Sequence, residues 1–159
     1  MKVIVVSDTH GRDINFKKVV EMHNPDMVVH CGDVEGKEKY LMATAGCPMH
    51  IVAGNNDYFS DLPKEEEFNI GRYKVWLTHG HNYYVSMSPE LIRDEAISRG
   101  VDIVMYGHTH KPVVYRTPDI IAINPGSLSY PRQEGRKPSY IIMEIDRYGE
   151  LHFTISYLD

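Results

Sequence analysis

The sequence predicts an α/β sandwich in which helices cover the faces of mixed β-sheets. Short apolar runs alternate with amphipathic segments through the first half, the rhythm of βαβ units. Later stretches of period two, joined by glycine turns, mark antiparallel hairpins. A length of 159 residues suits one ordinary domain, and neither a repeat nor a Ser/Gly-rich linker divides it. Residues 1–159 are therefore expected to form a single domain.

Taken in order, Val3 to Val6 has the length of a buried strand. Phe16, Val19, Val20 and His23 recur at helical spacing behind Asp13, a residue type that caps helices. Pro25 stops that segment before the next run, Met27 to Val29. Ile51 to Ala53 is a third run. Phe68 to Val75 reads as two strands around Gly71-Arg72, the second continuing through Trp76 and Leu77. Ser88-Pro89-Glu90 opens a helix with a capping hydroxyl and proline at its first position, and Gly100 ends it with a left-handed residue. Ile103 to Met105 follows as a strand. The run Ser139 to Ile145 joins through Arg147-Tyr148-Gly149 to Leu151, Phe153, Ile155 and Tyr157, which alternate with polar neighbours. This second hairpin makes the sheets mixed rather than purely parallel.

Composition narrows the function. Seventeen Lys+Arg against 22 Asp+Glu give a net charge of -5, and no Lys/Arg stripe is present, so long nucleic acid is disfavoured as a partner. With 42% hydrophobic and 25% charged residues the chain reads as soluble and globular, and no apolar stretch is long enough for a membrane span or a signal peptide. Cys31 and Cys47 form no CxxC pair, which fits buried free thiols in a reducing cytoplasm. Histidine stands out, because its nine copies equal the lysines, and imidazole is the commonest metal ligand.

The residues that end each apolar run carry the chemistry. The five runs give way to Ser7-Asp8-Thr9-His10, His30-Cys31-Gly32-Asp33, Gly54-Asn55-Asn56-Asp57, Thr78-His79-Gly80-His81 and Gly107-His108-Thr109-His110. In open α/β sheets the loops at the carboxyl ends of strands converge on one rim, so five strands can deliver metal-type side chains to one place. One such doublet is an ordinary turn signal; five in the same context make a site. Mixed imidazole and carboxylate donors suit Mn, Fe or Zn better than Mg or Ca.

In order along the chain, Asp8-x-His10, Gly32-Asp33, Gly54-Asn55-x-Asp57, His79-Gly80-His81 and Gly107-His108-x-His110 resemble the motifs of the calcineurin-like metallophosphoesterases. Together with Asn124-Pro125-Gly126-Ser127 they resemble most the small single-domain phosphodiesterase branch of bacteria and archaea. The resemblance implies a four-layer αββα sandwich holding two divalent metal ions. It places Asp8, His10 and His110 on one ion, Asn55, His79 and His108 on the other, and Asp33 between them. It implies manganese for activity, with Fe, Zn, Ni or Co as other occupants. The implied reaction is hydrolysis of a small or nucleotide-like phosphodiester by a hydroxide bridging ions about 3.5–4 Å apart.

One position departs from the broader family. Many members carry a histidine after the asparagine, thought to protonate the leaving group, whereas this chain has Asn56, whose amide cannot do so. His81 is the nearest candidate acid, and a hydrogen-bonding role suits it equally. Arg12 and Lys111 closely follow ligand motifs and are candidates for contact with substrate phosphate. Ser7, Thr9, Thr78 and Thr109 are expected to orient their neighbours, and Asp57 to fix the Asn55 loop. The competing reading is a non-catalytic, retromer-like scaffold on the same fold, against which stand the seven metal-type residues. Eleven tyrosines are compatible with a homo-oligomer.

Overall fold

In the computed structural model, which describes residues 1–159, the chain runs β1 (Lys2–Val6), α1 (Ile14–His23), β2 (Met27–His30), α2 (Glu38–Ala45), β3 (Met49–Ile51), β4 (Glu65–Ile70), β5 (Tyr73–Thr78), α3 (Glu90–Arg99), β6 (Ile103–Met105), β7 (Pro112–Arg116), β8 (Ile121–Pro125), β9 (Ser139–Ile145) and β10 (Leu151–Tyr157). A 3-10 turn occupies His81–Tyr83. The strands form two five-stranded sheets, in the orders β10-β9-β1-β2-β3 and β4-β5-β6-β8-β7. Each sheet has three parallel strands, β1-β2-β3 in one and β5-β6-β8 in the other. The remaining pairings are antiparallel, so both sheets are mixed as expected.

The unbroken apolar runs follow from burial on both faces. Val3 and Val5 of β1 point toward the second sheet and pack with Val75, Leu77, Ile103 and Met105. Ile4 and Val6, on the opposite face, pack with Phe16, Val19 and Leu41 of α1 and α2. On the far side Trp76, Val104 and Ala122 meet Ile92 and Ala96 of α3. These three apolar layers separate four structural layers, αββα. Each fully buried aliphatic side chain contributes about 1.5–3 kcal/mol.

Helix boundaries depart from expectation in detail. Asp13 stands at the N-cap of α1 but makes no capping hydrogen bond, so α1 relies on its buried face and on Asn24, left-handed at φ 44°, for its end. α3 begins at Glu90, leaving Pro89 at the boundary, and Ser88 Oγ accepts the Glu90 N–H at 3.2 Å. Gly100 ends it in the left-handed conformation, as expected. α2, β7 and β8 are not delineated by periodicity. Only Leu41 and Ala45 of α2 are buried, β8 is buried throughout, and β7 is a half-exposed edge strand. No helix is long and apolar enough to cross a membrane.

Candidate metal centre

Asp8 and His10 follow β1, Asp33 follows β2, Asn55 follows β3, His79 follows β5, and His108 and His110 follow β6. The carboxyl ends of these parallel strands meet at one rim. Backbone hydrogen bonds lace the loops together: the Asp8 N–H donates to Gly32 O at 3.0 Å, His10 N–H to Asp33 O at 2.9 Å, and Gly107 N–H to His79 O at 3.0 Å. The two sheets are tied where the His108 N–H donates to Asp8 Oδ2 at 3.0 Å.

Five of these residues, Asp8, His10, Asp33, His108 and His110, adopt positive φ between 49° and 72°. The left-handed conformation costs a non-glycine residue roughly 1–2 kcal/mol. Strain of this kind persists where surrounding contacts over-determine it and clusters at functional sites.

The side chains converge on Asp8 Oδ1. It lies 3.6 Å from His10 Nε2, 3.8 Å from His79 Nε2 and 3.3 Å from His110 Nε2. Asp33 Oδ2 lies 3.8 Å from His10 Nε2 and 3.4 Å from His79 Nε2. His10 Nε2 and His110 Nε2 are 3.2 Å apart. Asn55 Oδ1 and His108 Nδ1 face each other at 3.1 Å, with the His108 ring centred 5.1 Å from that of His79.

Two atoms decide what this cluster suits. Asp8 Oδ1 and His79 Nε2 are buried with no hydrogen-bond partner, although a buried orphan polar atom is costly. A divalent cation satisfies both, and Asp8-His10-His110 and Asp8-Asp33-His79 are each compact enough to hold one. Burial alone would raise the Asp8 carboxyl, but the close imidazoles of His10 and His110, and then the charge of His79, outweigh it and hold Asp8 well below the usual carboxylate range. Burial likewise opposes charging His10, yet Asp8 and Glu35 push its pKa up to about 9. A cation bound through His10 must therefore displace a proton.

Residues 1–148 match the model of the calcineurin-like phosphoesterase superfamily domain. The chain belongs to that superfamily. A probable metallophosphoesterase of Mycoplasma genitalium is 31% identical over 160 residues, covering 99% of this chain and 95% of the relative. A phosphodiesterase of Methanocaldococcus jannaschii is 32% identical over 146 residues, covering 79% and 83% respectively. The structure of Vps29 from Entamoeba histolytica, complexed with zinc, superposes with a TM-score of 0.78 at 24% identity over 99% of each chain, a likeness of fold. Calcineurin-like phosphoesterases use divalent metals, in agreement with the orphaned donors at the rim.

The supporting residues of this phosphoesterase are tightly placed. The Asp57 carboxylate accepts backbone N–H groups of Asp33 (2.8 Å), Glu35 (2.7 Å) and Gly54 (2.7 Å), joining the loops after β2 and β3. Asn56 donates its backbone N–H to Asp33 Oδ1 at 2.9 Å and its amide to Asp33 Oδ2 at 3.1 Å. The residue that departs from the broader family thus holds a carboxylate. Ser7 Oγ donates to Asp8 Oδ2 at 2.6 Å, and Ser127 Oγ to Asp8 O at 2.7 Å. Asn124, on fully buried β8, donates to Gly107 O at 3.0 Å and to Thr109 Oγ1 at 2.9 Å.

Arg12 and Lys111 stay outside the ligand cluster. The Arg12 guanidinium lies over the Tyr130 ring at 4.8 Å, and that ring packs edge-on against His10. Lys111 lines a separate cleft. His81 borders the cluster, its ring centred 5.4 Å from that of His79 and 6.1 Å from that of His108.

His30 carries no functional signal in the sequence, where it reads as a strand residue. It is fully buried at the end of β2, its Nδ1 accepting the Gly32 N–H at 3.1 Å and its Nε2 lying 3.0 Å from Thr9 Oγ1. It fastens the loops that carry Asp8 and Asp33. Burial pushes its pKa down to about 4, from 6.5. The unfolded chain takes up this proton below its own, higher pKa and the folded chain only below the lowered one. His30 therefore leaves stability intact above 6.5 and erodes it as pH falls toward about 4, by about 3 kcal/mol in all. In chelator, the unfolding free energy of the wild type minus that of His30→Gln should shrink by this amount between about pH 7 and about pH 4. A pH-independent difference would rule out a buried neutral imidazole.

Proposed function

We infer that the chain is a single-domain phosphodiesterase that hydrolyses a small or nucleotide-like phosphodiester with two divalent ions held at the rim. The observation that carries this reading is Asp8 Oδ1, a buried carboxylate oxygen without a donor, faced by three imidazole Nε2 atoms. Asp8, His10 and His110 would hold one ion, and Asn55, His79 and His108 the other. Asp33 would serve both, since its Oδ2 lies near one histidine of each set, His10 and His79. When bound, such ions lower the pKa of water and offset the negative charge of the phosphoryl group.

The protein's own residues position and shield. Asn56 and Asp57 keep the Asp33 loop in place, while Ser7, Ser127 and the His108 N–H orient Asp8. Burial, and then the charge of His79, depress the pKa of His81, whose Nδ1 is buried without a partner. His81 borders the rings of His79 and His108, where it either orients its neighbours or donates the leaving group's proton, and Asn56, in the position where the broader family has histidine, cannot donate one. Diesters with good leaving groups then fit the site best. Similarity to the Methanocaldococcus jannaschii phosphodiesterase supports the diester assignment. The mixed nitrogen and oxygen donor set supports manganese, with Fe, Zn, Ni or Co as alternatives to it.

Bis(p-nitrophenyl) phosphate tests the reading. Hydrolysis is expected with added manganese, to be abolished by chelator and restored by fresh metal. A chain that binds metal but turns over no diester would favour the protein-binding scaffold instead.

A further inference from the structure

A second concave surface adjoins the rim through the loop that follows β6. Thr109 and Lys111 line this cleft of about 400 Å³, while the residues between and before them, His110 and His108, belong to the metal-type cluster. The facing walls come from Arg93 in the first turns of α3 and from Arg132 before β9. Arg132 is anchored by its N–H donating to His110 O at 3.0 Å. Ser86 and Thr109 add hydroxyls.

Three cations line the cleft and no carboxylate does, on a chain whose net charge is -5. None of the three is neutralised, since the Lys and Arg ion pairs of the molecule belong to Lys17, Arg72, Arg99 and Lys137. Glu90, Asp94 and Asp119 line a different groove, which Arg93 and Tyr115 also border, so Lys111 and Arg132 are the cations that belong to the cleft alone. The Arg93 guanidinium lies 3.5 Å from the centre of the Tyr115 ring, a contact that orients it without accepting its N–H groups, and its Nε is buried with no acceptor. Three cations lining one concavity without a carboxylate suit an anion with several acceptor oxygens.

We propose that this cleft binds a second phosphate of the substrate, so that the preferred diester is a nucleotide-like one carrying a further phosphate group beyond the scissile one. The proposal rests on the phosphodiesterase reading above. It narrows the substrate class, because a simple diester leaves the three cations unused. A second phosphate adds charge-assisted hydrogen bonds that a diester without it cannot make.

Manganese-loaded protein is assayed on thymidine 5′-(p-nitrophenyl phosphate) and on the same compound phosphorylated at its 3′ oxygen. The phosphorylated compound is expected to have a kcat/KM higher by about tenfold, the worth of one charge-assisted contact. That ratio should fall toward unity in Arg132→Gln and in Lys111→Gln. Equal values in the wild type, or a ratio that survives both substitutions, would overturn the proposal. Inorganic phosphate that alters turnover of the unphosphorylated compound in wild type but not in Arg132→Gln would mark the cleft as an effector site and also overturn it. If no diester is hydrolysed at all, the phosphodiesterase reading has failed, and the cleft is then judged by binding. Thymidine 3′,5′-bisphosphate should bind the wild type more tightly than thymidine 5′-phosphate and lose that advantage in Arg132→Gln; equal affinities would overturn the subsite.

Discussion

Asp33→Ala is expected to retain at most one metal ion per chain and to lose diester hydrolysis by about 10³-fold or more. The carboxylate lies between His10 and His79, 1% exposed, and is held by two hydrogen bonds from Asn56. Alanine removes the anion from both candidate ion sites at once and leaves the Asn56 donors without their acceptor. Burial alone would raise the Asp33 carboxyl, but the imidazole of His79 beside it lowers it further, so the group is an anion at neutral pH. Its negative charge also opposes that of Asp8. Without metal, the variant should therefore lose far less stability than activity. Elemental analysis after dialysis, with turnover of bis(p-nitrophenyl) phosphate, measures both effects. Two retained ions with full turnover would sink the assignment of the site.

Gly54→Ala is expected to be nearly as damaging, although it removes no ligand. A Cβ at Gly54 would sit 2.6 Å from Asp33 N and 2.7 Å from Asp33 Cγ, and in harder contact still with Asp33 Oδ1. Conformational freedom is not the reason, since Gly54 does not have a positive φ; the constraint is space between two loops. Relief requires the loop after β2 to move, breaking the Gly54 N–H bond to Asp57 and shifting the carboxylate. The cost should be about 1–3 kcal/mol of stability and most of the manganese-dependent activity, because a displacement near 1 Å can cost about 10²-fold. Gly36→Ala is the control. Gly36 has φ 82° but nothing within 4 Å of an added Cβ, so alanine there should lower stability by about 1 kcal/mol and leave turnover intact. If Gly54→Ala turns over like the wild type, the close approach of these loops is not what places Asp33.

Legibility along the chain varied with the physical origin of each signal. β1, β2, β5 and β6 were readable because strands buried on both faces are unbroken apolar runs, and their ends were readable because Asp, Asn and His interrupt them. β9 and β10 were readable from alternation and a glycine turn. α2 was not, since two buried residues in eight leave almost no helical period. His30 was silent, and what Asn124 and Ser127 do within their motif was not legible, for a different reason: each acts through a partner 17 or more positions away, His30 on Thr9, Asn124 on Gly107 and Ser127 on Asp8. Local pattern also gives no sign that Asp8, His10, Asp33, His108 and His110 stand in the left-handed region that glycine favours. There the demands of the site override local preference.

The amino-acid sequence by itself determined which side chains end the parallel strands, because each apolar run closes in a metal-type residue and parallel strands within a sheet present their carboxyl ends together; that the ends of the two sheets share one rim it did not determine. Only the tertiary structure decided how they act. The orphaned Asp8 Oδ1 arises because imidazoles from both sheets surround one oxygen, and the cationic cleft arises because Arg93, Lys111 and Arg132 meet from three separate segments. Charge and hydrogen-bond satisfaction are properties of distance in space, and distance in space between such segments exists only once both sheets have packed.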